Sequence, residues 1–382
     1  MITINTKNLM MKILNAAIEK KASDIHIYPN ISGYSFIKLR VMGNLSKYEK
    51  YSNRELEAVI SLLKYNANID ISRNKEPQSG KFVYRLLGKE YYLRVSTLPL
   101  SELYEGCVVR IFTNEIEDVK YSIFSKDNIF IDRLASKANG LILFSGPTGS
   151  GKSTSMYKLA SRCAQLGKQV LTIEDPVEKN INNLIQMQIN EKAGITYENA
   201  LKSMLRCDPD VLVVGEVRDY KTAGQVITST FSGHLVLSTI HAENSIGVIN
   251  RLRDLNLSHE DIKQTIICIV SQRLVRLTNN KRGLITEILT KEEIKNYIDN
   301  KIRNNNSLQN KFNIAYEKEI ISLNEKEKWE KIDSIYFSWD KRNKVRFLSS
   351  IIFSKRGNKI IGTLLDMLII FWNYNDKIFR KN

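Results

Sequence analysis

Between an apolar tetrad, Leu141-Ile142-Leu143-Phe144, and an amphipathic run over 156–163 stands Gly146-Pro147-Thr148-Gly149-Ser150-Gly151-Lys152-Ser153, a match to G-x-x-x-x-G-K-[ST]. Strand, glycine-rich turn and helix in that order are the setting in which this pattern carries chemical meaning. The glycines let backbone N–H groups wrap phosphate oxygens. Lys152 reaches the β and γ oxygens, and the Ser153 hydroxyl meets Mg²⁺ at a helix N-terminus. A nucleotide-phosphate site is therefore expected over Gly146 to Thr154.

From Gly140 the chain alternates strand and helix, as an α/β fold with a mainly parallel sheet does. Besides 141–144, the segments 170–173, 211–214 and 235–238 are nearly all apolar, the mark of strands buried on both faces. Each runs into a polar motif, and ligands of open α/β sheets bind beyond the carboxyl ends of strands. Four such ends predict one converging site.

The second end, Thr172-Ile173-Glu174-Asp175-Pro176-Val177-Glu178, sets Glu174 and Asp175 just past a strand, where Pro176 stops any helix and holds the turn open. One carboxylate is placed to orient an attacking water, and the alternative is an acidic loop that caps a helix. The third end, Gly215-Glu216-Val217-Arg218-Asp219, offers a carboxylate beyond an apolar strand adjoining the phosphate loop, able to hold Mg²⁺ directly or through its waters. Its alternative is a surface ion-pair cluster of Glu216, Arg218 and Asp219. The fourth end carries His241 where a γ-phosphate sensor would sit. Zinc is not expected, because neither a cysteine nor a further histidine lies at ligand spacing from His234 and His241.

Upstream, Met10, Ile13, Leu14, Ala17 and Ile18 recur at helical spacing over 9–20. The segments 24–28, 36–41, 81–85, 91–95 and 108–112 read as strands and 53–65 as a helix, giving a smaller α+β domain. The expected partition is a first domain over 1–114, a linker over 115–128, a phosphate-loop domain over 129–300, and a Lys/Asn-rich helical extension over 301–382. A length of 382 residues suits two domains with extensions.

The formal net charge of +16 draws phosphates, nucleic acid or anionic lipid without choosing among them. Cys107, Cys163, Cys207 and Cys268 are scattered singly, which points to reduced, mostly buried thiols. The start of the chain lacks the charged and apolar regions of an export signal. The apolar run over 360–372 is far short of the roughly 20 residues of a spanning helix. A cytoplasmic location follows, and basic residues from Lys341 to Lys359 beside Phe347, Leu348, Ile351 and Ile352 read as an amphipathic segment suited to a membrane surface.

In these segments the chain resembles the type II secretion and type IV pilus assembly ATPase family over most of 1–289. The family's Walker A, Asp box, Walker B and His box look like 146–154, 172–178, 206–219 and 233–243, in family order and at similar spacing. The first domain matches through Ser23-Asp24-Ile25-His26, Gln78-Ser79-Gly80-Lys81, Arg94-Val95-Ser96-Thr97-Leu98-Pro99 and Glu105-Gly106-Cys107-Val108-Val109-Arg110. The resemblance implies a RecA-like P-loop NTPase core behind a PAS-like α+β domain, with ATP and Mg²⁺ as cofactors. It implies that Glu174 polarises water and Glu216, with Ser153, manages Mg²⁺, leaving open which carboxylate is the base.

Arg94 and Arg110 occupy the places of family arginines that swing over the nucleotide; the alternative is that they pair with local acids on a strand face. The family's Gln-Asp-Gly-Arg is Gln78-Ser79-Gly80-Lys81 here, and lysine cannot reproduce a bidentate fork. No long docking domain and no tetracysteine insert is legible, as in the short ATPases of Gram-positive competence systems. The resemblance further implies a homo-hexamer, peripheral at the cytoplasmic face of the plasma membrane, that works on a polytopic membrane platform protein and needs no direct nucleic acid. Its expected output is a pilus-like competence pseudopilus for DNA uptake. The alternatives are a retraction or secretion motor of the same family, a nucleic-acid-stimulated P-loop motor, and a non-enzymatic scaffold.

Overall fold

Helix α1 (Ile4–Glu19) buries Met10, Ile13, Leu14 and Ala17 along one stripe, as the 3.6-residue period requires. Strands β1 (Ala22–Ile27), β2 (Tyr34–Val41) and β3 (Asn44–Ser52) follow, then α2 (Asn53–Asn66), whose first turn is closed by a capping box between Ser52 and Glu55. Strands β4 (Gln78–Leu86), β5 (Lys89–Pro99) and β6 (Glu105–Thr113) complete an antiparallel sheet of order β3-β2-β1-β6-β5-β4. The stripes of α1 and α2 share one core with Ile25, Ile37, Leu39, Val95 and Val109 of the sheet. In this computed structural model the residues described are 4–100, 104–113, 119–178, 180–302 and 307–329. The basic segment from Lys341 and the apolar run over 360–372 lie outside them, as does part of the expected linker.

Strand register sets Arg40, Asp24, Arg110, Arg94 and Lys81 directly opposite one another in a single row across five strands. Directly opposed residues share a face. The row therefore concentrates positive charge on one face, relieved by one carboxylate.

The second part comprises α3 (Ser125–Arg133), β7 (Gly140–Ser145), α4 (Lys152–Gln165), β8 (Val170–Glu174), β9 (Ile185–Gln188), α5 (Tyr197–Met204), β10 (Val211–Val214), α6 (Tyr220–Phe231) and β11 (Leu235–Ile240). It continues through α7 (Ser245–Asp254), α8 (His259–Thr265), β12 (Ile266–Arg276), β13 (Arg282–Thr290), α9 (Lys291–Asn300) and α10 (Leu308–Glu317). The sheet order is β13-β12-β7-β11-β10-β8-β9, parallel except where β13 runs against β12. Apolar layers cover both faces, one led by α5 to α9 and the other by α3 and α4. The fold is α/β with a mainly parallel sheet, preceded by the antiparallel domain, and the elements through Ser322 form one compact unit.

The four strands read from the sequence are contiguous as β7-β11-β10-β8. The strand that leads to Glu216 does not neighbour the phosphate-loop strand, because β11, the strand that leads to His241, lies between them.

Candidate nucleotide site

The turn between β7 and α4 needs left-handed backbone at Gly149 (φ +78°) and Gly151 (φ +85°), which glycine adopts without strain. Lys152 is buried and folds back so that its Nζ donates to the carbonyls of Gly146 (3.0 Å) and Pro147 (3.1 Å). Burial pushes its pKa down, opposed by the carboxylates of Glu216 and Glu178, while Arg273 adds to the lowering. From beneath, Gln272 of β12 donates its amide to the Ser150 carbonyl at 2.7 Å, tying the loop to the neighbouring strand. Ser153 is the second residue of α4, at the end where helix dipole and free N–H groups favour an anion.

Beyond β10 and β11 the polar groups converge. His241 Nε2 lies 3.3 Å from Glu216 Oε1, and Arg218 Nε lies 2.9 Å from Glu216 Oε2. Arg218 also approaches Asp175 Oδ2 at 3.8 Å. Burial and the charge of Lys152 both lower the pKa of His241, against a rise from Glu216. At neutral pH the ring is neutral, able to accept at one nitrogen and donate at the other. Asp219 is not part of this cluster: its Oδ1 accepts from the Thr222 N–H and caps α6.

Glu174 closes β8 with its side chain turned inward. Thr172 Oγ1 donates to Oε1 at 2.7 Å, Gln186 Nε2 donates to Oε1 at 3.1 Å, and the Tyr157 hydroxyl donates to Oε2. Glu174 is 2% exposed, whereas the Glu216 side chain is 20% exposed. Asp175, Pro176 and Glu178 face the N-terminal sheet across a cleft of about 680 Å³.

Arg94 lines that cleft, its Nε donating to Ser79 Oγ at 3.2 Å. Arg110 is engaged on its own domain, with Nε 2.8 Å from Asp24 Oδ1. Burial pushes the Asp24 carboxyl up, but hydrogen bonds from Arg110 and Ser23 outweigh it and hold the group below the ordinary carboxylate range. The structure thus brings Lys152, Glu216, His241 and Arg218 together, sets Glu174 beside them inside a hydrogen-bonded clamp, and leaves Arg94 across a gap. Sequence reasoning missed Tyr157, Gln186 and Gln272. For Gln272 a signal existed, since Ser271-Gln272-Arg273 interrupts an otherwise apolar strand.

A family profile described as "Type II/IV secretion system protein" matches residues 4–321. The chain belongs to that family. It is similar to the competence protein ComGA of Bacillus subtilis (strain 168), 37% identical over 269 residues that make up 69% of this chain and 75% of that protein. A ComGA from Halalkalibacterium halodurans is 34% identical over 303 residues, 74% of this chain and 86% of the other. The type II secretion system protein E of Klebsiella pneumoniae is 36% identical over 271 residues, 70% of this chain but 54% of that protein, so the chain spans about half of such secretion proteins. Among solved structures, the Legionella pneumophila ATPase DotB aligns with a TM-score of 0.68 at 23% identity, covering 84% of this chain and 94% of its own. The pilus retraction motor PilT with bound ADP aligns with a TM-score of 0.64 at 24% identity, covering 83% and 96%. Family, motifs and fold agree on an ATPase of the secretion and pilus type.

Proposed function

We propose that this protein hydrolyses MgATP as a ring of six chains at the cytoplasmic face of the plasma membrane and passes the resulting domain movement to a polytopic platform protein that assembles a competence pseudopilus for DNA uptake. The observation that carries the reading is the convergence of Lys152, Glu216, His241 and Arg218 at contiguous strand ends beside a glycine-rich turn. The similarity to two ComGA proteins supports the competence assignment over secretion.

In this reading the N–H groups of 148–154 and the Lys152 ammonium bind the triphosphate. The Ser153 hydroxyl and the Glu216 carboxylate suit Mg²⁺, because both are hard oxygen donors, and the metal would neutralise charge on the transferred phosphoryl group. Glu216, the more exposed of the two strand-end glutamates, is the carboxylate that water reaches most readily, and neutral His241 beside it reads the γ-phosphate. Arg94 and Arg110 supply positive charge when the cleft closes, with Arg110 leaving Asp24 to do so.

The experiment is Lys152→Ala, assayed for phosphate release and for surface fibres after its unfolding temperature has been matched to the wild type. Loss of turnover and of fibres together is expected. Wild-type turnover in that variant would remove the 146–154 turn from the catalytic site, wild-type fibres without turnover would sink the motor reading, and turnover that rises with added DNA and collapses with salt would replace the assembly motor by a nucleic-acid motor.

A further inference from the structure

Glu174 is bound by donors from three separate elements, and each donor is itself fixed. Thr172 precedes it by two residues on β8, and Gln186 faces Thr172 across the β8/β9 ladder. Gln186 is oriented because its Oε1 accepts the Ile181 N–H at 2.7 Å. Tyr157 comes from α4, the helix whose first turn belongs to the phosphate loop, and its ring is buried with 2% exposure. A buried carboxylate without such partners would be strongly disfavoured, and hydrogen bonds to an ionised acceptor are the stronger kind.

The geometry is more than packing. Tyr157 carries α4 to the second strand end, where its hydroxyl joins the phosphate-loop helix to Glu174. With Oε1 taken by Thr172 and Gln186, the Tyr157 hydrogen bond decides which way Oε2 points and which of its lone pairs stays open. A shift of α4 when its N-terminus takes up phosphate would be felt at that oxygen.

We propose that Tyr157 is a positioning residue for Glu174, tying the carboxylate to the phosphate-loop helix so that the contribution of Glu174 to turnover depends on the Tyr157 hydroxyl. This rests on the ATPase reading above and assigns a role to a side chain outside its motifs.

The test compares wild type, Tyr157→Phe, Glu174→Gln and the double variant, measuring kcat, KM and the affinity for a fluorescent ATP analogue. Phenylalanine keeps the buried ring and removes only the hydroxyl. Expected are a fall in kcat of roughly tenfold or more in Tyr157→Phe, the scale of one lost charge-assisted hydrogen bond, with analogue affinity within about twofold of wild type. The double variant should then turn over like Glu174→Gln alone, because the hydroxyl acts only through that carboxylate. A wild-type kcat in Tyr157→Phe, or losses that multiply in the double variant, would overturn the proposal. Should Tyr157→Phe fail to fold, Tyr157→Met, an adaptable apolar side chain without the hydroxyl, takes its place in the same cycle. A wild-type protein that hydrolyses no ATP would strike the proposed function instead, so the two failures are distinguishable.

Discussion

Glu287 on β13 is buried among polar partners: it accepts from the Leu308 N–H at 3.3 Å, is hydrogen-bonded by Ser245, and feels the charge of Arg273. Burial nevertheless dominates and raises its pKa to about 6. A carboxyl with a raised folded-state pKa holds a proton that the unfolded chain has already released. Stability therefore falls as pH rises from the ordinary glutamate value through about 6, and stays lower above it. The shift corresponds to about 2 kcal/mol at pH 7. In Glu287→Gln this penalty is gone, so urea unfolding at pH 4.5 and pH 7 should find the variant gaining about 2 kcal/mol on the wild type across that interval. A constant gap would mean that burial leaves the Glu287 pKa at its unfolded value. Gly146 makes a second prediction. Its φ is +147°, and a Cβ there would lie 2.5 Å from the Gln272 carbonyl and 2.6 Å from Ser150 Oγ. Backbone strain and a clash with backbone combine, so Gly146→Ala should lower stability by about 2 kcal/mol or more and weaken binding of an ATP analogue. Unchanged values for both would show that the turn can relax.

Helix α10 is held to the core by more than its apolar stripe of Leu308, Phe312 and Ala315. Lys311 Nζ lies 2.9 Å from both oxygens of Asp127 on α3, and Asp127 also accepts from the Ser122 and Thr286 hydroxyls. Both side chains of the ion pair are largely buried, so removing one partner strands a charge. Lys311→Met should cost about 3 kcal/mol, and adding Asp127→Asn should recover part of it. Losses that simply add in the double variant would deny the coupling. This helix grows from the Lys/Asn-rich text beyond residue 300, where polar composition hides a buried stripe only three residues wide. The same physics explains what the sequence disclosed elsewhere. Strands 141–144, 170–173, 211–214 and 235–238 are legible because burial on both faces makes them uniformly apolar. Strand β3 was not read, since an edge strand with mostly exposed positions carries little period, and β9 is only four residues with none fully buried. Lys152, Glu216 and His241 were legible because each ends a readable strand or sits in a glycine-rich pattern. Tyr157 and Gln186 were not: an aromatic on a helix stripe looks like core, and a glutamine on a short edge strand looks like surface.

The two sheets of the compact unit meet across the cleft between β4 and β5 on one side and Asp175 to Glu178 on the other, where Lys81 Nζ donates to Gln188 Oε1 at 3.1 Å. That hydrogen bond is exposed, and a single exposed contact of this kind contributes a fraction of a kcal/mol, too little to fix one domain arrangement. The row of Arg40, Arg110, Arg94 and Lys81 carries four positive charges against the one carboxylate of Asp24. A bound triphosphate would add negative charge opposite that row, and a ligand moves a two-state equilibrium only by its differential affinity for the two states. In the proposed reading, Arg94 and Arg110 are the groups through which that difference would arise. The movement can be read by energy transfer between dyes on Leu87→Cys, at the exposed β4–β5 turn, and Lys221→Cys on α6. Both are placed in a Cys207→Ser background, because Cys207 is the exposed thiol among the described cysteines. A non-hydrolysable MgATP analogue should shift the transfer efficiency, Lys152→Ala should abolish the shift, and Arg94→Ala should shrink it while leaving the nucleotide-free value in place. A distribution that ignores the nucleotide, at concentrations where the analogue is bound, would mean that the domains are locked as they stand and that the work of hydrolysis leaves the protein by another element.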